Sequence, residues 1–272
     1  MGVLVVEHLV ALPARTAALL PADLLARLGG RALAVVFALE DGFGELAPGE
    51  PAVVFAAAGF GTLDLQAARH VHEPDDRRSL VDLLPAGIII GSTLNEMGAN
   101  YYGKELSLEE AKEILAPTFG EDTDAFIDAY YEAWPDGSLQ DMLSQDRIFR
   151  HNSVISCRGI NAQGAAPVWN YLFAWQKPTD HYSAHGDELP FFFNTIEAEK
   201  RKVPEITPEV AHLRDVMCGY WVSFAYTGNP NAEGLPTWHS FSEADEPCMI
   251  FDTEIEERQA FDKRMQELIH NR

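Results

Sequence analysis

The sequence has few basic residues and few cysteines, and each shortage argues against a class of protein. Only 20 Lys and Arg stand against 42 Asp and Glu, which gives a formal net charge of −22. That charge opposes binding to nucleic-acid phosphates and to anionic membranes, so we expect neither as a partner. The three cysteines are far apart and form no Cys-x-x-Cys pair. We therefore predict no zinc site, no disulfide framework and a reducing, cytoplasmic location.

Two further patterns are absent. No apolar run approaches the length of a membrane-spanning helix, and Glu7 interrupts the short apolar start, so we predict neither a transmembrane segment nor a signal peptide. Neither of the glycine patterns that bind phosphates, G-x-G-x-x-G and G-x-x-x-x-G-K-[ST], occurs. We expect no cofactor.

Residues 1–78 contain no Ser, Lys, Ile, Asn, Tyr, Cys or Trp, whereas the rest of the chain uses all of them. Ser and Lys are common in ordinary domains, so their joint absence is a strong bias. Two explanations stay open: a shifted reading frame, or an Ala/Leu-rich helical domain of natural origin. We therefore divide the chain into residues 1–78, of unclear fold and without family resemblance, and residues 79–272.

Within the first segment, residues 21–30 resemble a short helix with a glycine stop. The apolar runs at 32–39 and 52–58 are compatible with strands or helices. His70 and His72 have the spacing of two metal ligands on a strand, but no third ligand is nearby. We predict a solvated segment and no metal site.

From residue 79 onward, strand patterns alternate with helix patterns, which predicts an α/β sandwich with a largely parallel sheet. The predicted strands are 86–91, 168–176 and 248–252. The predicted helices are 108 to about 115, 123–133, 139 to about 149 or beyond, 208 to about 226, and 254–269.

An acid and a histidine follow two of these strands. Glu96 comes just after the first strand, and His185 lies in a loop after the second. Ligands and catalytic groups gather at the carboxyl ends of strands in open α/β sheets. A carboxylate paired with a histidine there would fix the imidazole tautomer for acyl transfer. Acid before histidine is also the chain order of α/β-hydrolases.

Several segments together resemble the carboxylesterase type B family, which includes cholinesterases and para-nitrobenzyl esterases. They are Gly91–Glu96, His185–Phe191, Tyr220–Asn231 and Pro236–Trp238, the last followed by Met249–Asp252. The resemblance covers about residues 80–270 in consistent order. It implies the C-terminal half of an ester hydrolase. The implied fold is a partial α/β-hydrolase fold: an incomplete, mostly parallel sheet flanked by helices, with the N-terminal nucleophile half missing.

The resemblance also implies roles for residues. Glu96 would be the triad acid and His185 the general base. Glu188 matches a family glutamate with a supporting role, although a buried salt bridge or a helix cap is an equal alternative. Trp175 and Phe191–Phe193 would line a substrate pocket or simply pack in the core.

The family's nucleophile is a serine in G-x-S-x-G, and this chain lacks that pattern. Gly87 and Gly91 are the only glycines four apart, and Ile89 lies between them. We find no nucleophile and expect the chain to be inactive alone. Three hypotheses follow: a truncated ester hydrolase, a non-catalytic interaction protein, and one half of a split esterase that acts on small esters once completed. An incomplete sheet also predicts self-association through its exposed edge or face.

Overall fold

The computed structural model describes residues 87–96, 100–164, 166–179 and 181–272, together with the backbone of three short strands nearer the amino end. The strands are β1 (Val3–Val5), β2 (Ala34–Val35), β3 (Phe55–Ala56), β4 (Ile88–Thr93), β5 (Val168–Phe173), β6 (Pro247–Phe251) and β7 (Glu256–Gln259). The α-helices are α1 (Leu108–Phe119), α2 (Thr123–Ala133), α3 (Leu139–Ser144), α4 (Phe149–Gln163), α5 (Leu189–Phe192), α6 (Pro208–Thr227) and α7 (Lys263–His270). A 3₁₀ turn, Gly120–Asp122, joins α1 to α2.

The strands form one sheet in the order β2-β1-β4-β5-β6-β7, with β3 also paired to β1. All pairs are parallel except β6 with β7. Every residue of β4, β5 and β6 is buried, as expected for strands covered on both faces. This is the α/β architecture that the alternating patterns predict.

Strands β4 and β5 pair in register from Ile88 with Val168 to Thr93 with Phe173. Because of this pairing the two strands end side by side, and the loops that follow them are neighbours. Gly91 in β4 lies against the side chain of its partner residue Tyr171. A Cβ added at Gly91 would lie 2.3 Å from the Tyr171 ring, so only glycine fits there.

The two faces of the sheet are packed differently. On one, which we call the aromatic face, strand residues such as Tyr171, Phe173 and Phe251 pack against α6. On the other, which we call the polar face, Asn170 and Leu172 point toward α4 and the segment before α7. Alternation along each strand produces this division, because successive side chains point to opposite faces.

Several predicted elements are confirmed. The structure contains the strands predicted near 86–91, 168–176 and 248–252, with β5 ending earlier, at Phe173. Helix α2 has the predicted bounds. Helix α6 begins at the predicted residue 208, after an N-cap at Thr207, and ends before Gly228, which has a left-handed conformation. These elements combine a strong apolar pattern with clear end signals.

The first helix is longer than predicted. Helix α1 begins at the predicted residue 108, after a capping box formed by Ser107 and Glu110, but continues through Pro117 to Phe119. Ala111, Leu115 and Phe119 lie four residues apart on one buried face, and Phe119 stacks on Phe126 at 4.0 Å between ring centroids. This packing outweighs the hydrogen bond that proline cannot make in the last turn.

The prediction of one continuous third helix is wrong. Helix α3 ends at Ser144, and α4 begins only at Phe149. Gln145 is extended, and the Asp146 carboxylate accepts a hydrogen bond from the Arg150 N–H at 2.8 Å. Asp146, two residues before the N-cap residue Ile148, thus supplies an acceptor for a first-turn amide of a new helix that has no partner within the helix.

The prediction of a single helix over 254–269 is also wrong. Glu256–Gln259 is an antiparallel edge strand on β6, and only Lys263–His270 is helical. The edge of β6 would otherwise leave backbone groups unpaired, and this long-range pairing overrides the local helical pattern.

Some predictions on the first segment lie outside the described residues: the helix at 21–30 and the pair His70 and His72. The apolar runs at 32–39 and 52–58 contain the two-residue strands β2 and β3. Among the residues that the structure describes, no helix combines the length and the apolar character needed to cross a lipid bilayer.

Candidate active site

Glu96 follows β4 in an unusual backbone conformation. Its φ is +31°, a region that a residue with a Cβ rarely adopts. Two contacts with Thr93 hold it there: the Thr93 N–H donates to Glu96 Oε1 at 2.7 Å, and the Glu96 N–H donates to Thr93 Oγ1 at 3.1 Å. Strained backbone held by its surroundings is typical of functional sites.

The structure brings Glu96 and His185 together. Glu96 Oε2 lies 2.7 Å from His185 Nδ1, and the His185 N–H donates to the Glu96 carbonyl at 2.9 Å. The Glu96 side chain is 1% exposed, whereas that of His185 is 19% exposed. With Nδ1 engaged by the carboxylate, Nε2 is the nitrogen through which the ring would exchange a proton with a reacting group.

Asn95 fastens the two loops to each other. Its N–H donates to the Ser183 carbonyl at 3.1 Å, and its Oδ1 accepts from the Ser183 N–H at 2.8 Å. Its Nδ2 donates to the carbonyl of Ser144 at 3.2 Å. The side chain of Asn95 is thereby satisfied although the residue is buried, and the spacing between the loops is set by direct hydrogen bonds.

A buried ion pair joins the two ends of the histidine loop, residues 177–187. Lys177 Nζ lies 2.9 Å from Asp187 Oδ2, and both side chains are almost fully buried. Asp187 Oδ2 also accepts from the Ala184 N–H at 2.8 Å. Gly186 has a φ of +74°, which glycine adopts without strain, so the chain reverses direction between His185 and Asp187.

Glu188 is buried close to the pair. Burial raises the pKa of its carboxyl well above the ordinary value, and the nearby charge of Glu96 raises it further. Its Oε2 has no hydrogen-bond partner among the described residues. Lys202, which donates to the Gly186 carbonyl, opposes the rise. A protonated Glu188 avoids placing a second negative charge beside Glu96.

Asp146 is a second buried carboxyl near Glu96. Its N–H donates to the Leu94 carbonyl at 2.8 Å, which ties the start of α4 to the acid loop. Burial raises the pKa of Asp146 to about 6, against the opposing effect of backbone hydrogen bonds. Asp146 therefore anchors the start of α4 beside the acid loop.

The aromatic residues considered as pocket lining belong largely to the core. Trp175, Phe191 and Phe192 are at most 4% exposed and pack in the cluster beneath α6. Trp175 and Phe191 have ring centroids 5.2 Å apart. Phe193 is partly buried at the margin of this cluster. Core packing therefore accounts for these side chains.

The described residues contain no group of three or more His, Cys, Asp or Glu arranged to hold a metal ion. Ser92 and Ser153, the serines near the predicted acid and in α4, are at most 1% exposed. A serine so enclosed cannot meet a substrate without rearrangement. The described part of the chain thus presents a carboxylate and a histidine in contact.

The sequence singles out Glu96, His185 and Glu188 as candidates, but not the residues that hold them in place. Asn95 stood inside the quoted acid motif, and Asp187 inside the histidine motif, yet neither was assigned a role. Lys177 follows directly on the predicted strand 168–176. The sequence does show a lysine and an aspartate of opposite charge at the two ends of one loop, Lys177 and Asp187. Their spacing alone does not show that they form an ion pair.

Known proteins resemble this chain over parts of their length. The model of the carboxylesterase family matches residues 128–268, slightly more than half of the chain. Para-nitrobenzyl esterase of Bacillus subtilis (strain 168) is 39% identical over 93 residues, which are 33% of this chain and 19% of that protein. Cocaine esterase of Homo sapiens is 28% identical over 201 residues, which are 64% of this chain and 35% of that protein.

Among solved structures, an esterase from Clostridium hathewayi, described as able to hydrolyze aliphatic aromatic polyesters, superposes with a TM-score of 0.59 at 28% identity. The match covers 73% of this chain and 42% of that one. This chain therefore spans a fifth to two fifths of the length of these relatives.

The mostly parallel sheet and these neighbours define part of an α/β-hydrolase fold. The chain belongs to the carboxylesterase family. His185 lies inside the matched region, and Glu96 lies ahead of it.

Proposed function

We propose that this chain supplies the acid and the histidine of a carboxylic ester hydrolase. The contact between Glu96 Oε2 and His185 Nδ1, at 2.7 Å, is the observation that supports the proposal. It lies at the carboxyl ends of β4 and β5, where α/β sheets place their reacting groups. Membership of the carboxylesterase family supports a carboxylic ester as the substrate class.

The roles of the two residues follow from their surroundings. His185 would accept the hydroxyl proton of an attacking serine through Nε2 and return it to the departing alcohol. Glu96 would hold the Nδ1–H tautomer and stabilise the imidazolium that forms between these steps. A water molecule activated in the same way would then release the acid from the acyl-enzyme.

This sequence contains no G-x-S-x-G motif. The attacking serine would therefore have to be supplied by another source. We therefore propose that the chain alone does not turn over esters. A split enzyme, completed by a polypeptide with the nucleophile, is the form in which the Glu96–His185 contact would serve catalysis. A non-catalytic interaction protein is the second candidate, and the missing motif is the observation that favours it.

The first experiment measures hydrolysis of p-nitrophenyl acetate by the chain alone and by His185→Gln. We expect the two rates to be equal and close to the rate without protein. Turnover that His185→Gln abolishes would show instead that the chain carries its own nucleophile.

The second experiment mixes the chain with a separately purified family polypeptide that carries G-x-S-x-G and the oxyanion glycines. We expect turnover to appear on mixing. Replacing His185 by Gln should then lower the rate by a factor on the order of 10⁴ to 10⁶, as removal of a triad histidine does. Binding of the two polypeptides without any turnover would favour the interaction protein.

A further inference from the structure

The loop that carries His185 is closed at its base by a buried ion pair. Lys177 stands where the chain leaves the region of β5, and Asp187 stands two residues after His185. Nζ and Oδ2 are 2.9 Å apart, with side chains 8% and 4% exposed. A pair buried this deeply has lost its hydration, so its geometry has to be good for the fold to tolerate it.

Asp187 acts on the backbone next to the histidine. Its Oδ2 accepts from the Ala184 N–H at 2.8 Å, and its own N–H donates to the Ala184 carbonyl at 2.9 Å. Ala184 forms a parallel bridge with Glu96 and immediately precedes His185. One carboxylate oxygen thus joins the lysine to the short bridge that aligns the histidine with its acid.

Lys177 holds the other side of the loop. Its carbonyl accepts from the His181 N–H at 2.8 Å, and its Nζ lies 4.5 Å from the centre of the Tyr182 ring. The lysine therefore contacts the loop through its backbone, through the ring of Tyr182 and through the Asp187 carboxylate. Removing its charge would leave Asp187 buried without its cation, two residues from the imidazole.

We propose that Asp187, fixed by Lys177, is the positioning residue that aims His185 Nδ1 at Glu96. This rests on the proposed role of the Glu96–His185 pair. The imidazole bonds the carboxylate through Nδ1 only while the ring and the Ala184–His185 backbone keep their present orientation. The contact between His185 and Glu96 depends on distance and angle. A shift of the loop by a fraction of an ångström would therefore weaken it.

The test reads the tautomer of His185 in the whole chain. Ring nitrogens of ¹⁵N-histidine are observed through their carbon-bound protons, and the His185 signals are assigned by their loss in His185→Gln. We expect the Nδ1–H tautomer in the original chain. In Lys177→Met and in Asp187→Asn, the ratio of Nδ1–H to Nε2–H should fall about tenfold, the effect of losing one charge-assisted hydrogen bond.

Two controls separate positioning from general stability. Lys177→Arg keeps the cation and should retain the Nδ1–H tautomer. Arg158→Met breaks another ion pair, Arg158 with Glu246 at 2.8 Å, which lies outside the histidine loop. It should lower the melting temperature and leave the tautomer unchanged.

An unchanged tautomer ratio in both Lys177→Met and Asp187→Asn would overturn the positioning role and leave the proposed function standing. An equal loss of the Nδ1–H form in Arg158→Met would overturn it too, because any destabilisation would then suffice. An Nε2–H tautomer in the original chain would overturn both the positioning role and the proposed Glu96–His185 pair.

Discussion

The aromatic face and the polar face of the sheet are stabilised by different interactions. On the aromatic face, Trp221 of α6 packs against Tyr171 and Phe251 of the sheet, with ring centroids 5.3 to 5.9 Å apart. On the polar face, Arg150 bonds Asp262 twice, at 2.8 and 3.0 Å, and Asn170 once, at 2.6 Å. An apolar core accepts substitutions between side chains of similar volume at little cost in stability. A buried network of charges does not, because removing one member leaves another without its partner.

The largest effect should come from breaking the polar network. Replacing Arg150 by Met would leave the Asp262 carboxylate buried without its cation. We expect a loss of about 3–5 kcal/mol in the free energy of unfolding, measured by urea denaturation. Removing the carboxylate as well, in Arg150→Met with Asp262→Leu, should recover part of that loss. A loss below about 1 kcal/mol in the single variant would contradict the contrast between the faces.

A smaller effect concerns pH and Asp146 on the same side of the sheet. Its folded pKa, about 6, is above the ordinary value of 3.8, so the folded state holds the proton more tightly. The stability that this proton contributes is present below pH about 4 and is lost as pH rises through about 6. We expect about 2–3 kcal/mol over that window, and a flatter profile in Asp146→Asn.

Urea denaturation at pH 4, 5, 6 and 7 measures both pH profiles. Because the side-chain amide in Asp146→Asn would retain an acceptor for the Arg150 N–H, the slope, and not the absolute stability, is the quantity to compare. Identical slopes in the two proteins would show that Asp146 titrates normally.

The smallest effect should come from the aromatic face. Met217 in α6 is fully buried in that cluster. Replacing it by Leu conserves volume and should lower the free energy of unfolding by less than about 1.5 kcal/mol in the same assay. A loss as large as that of Arg150→Met would contradict the contrast, because the aromatic face would then be at least as sensitive to substitution as the polar face.

The same contrast shows what sequence patterns convey. The runs that become β4 and β6, and the helix α6 with its Thr207 cap, could be predicted because burial and end signals are local properties. Glu96 and His185 could be predicted because their motifs resemble a family. Edge strand β7 could not, because its conformation depends on pairing with β6. Arg150 with Asp262 could not, because 112 residues separate them.

Gly91 in β4 bears on the strand that leads to Glu96. Gly91 lies against the ring of Tyr171, a side chain that is itself enclosed. A methyl group at this position would collide with that ring, so β4 or the ring would have to move. The hydrogen atom that glycine carries in place of a methyl group thus lets β4 run undisturbed beneath the ring, five residues before the chain reaches Glu96.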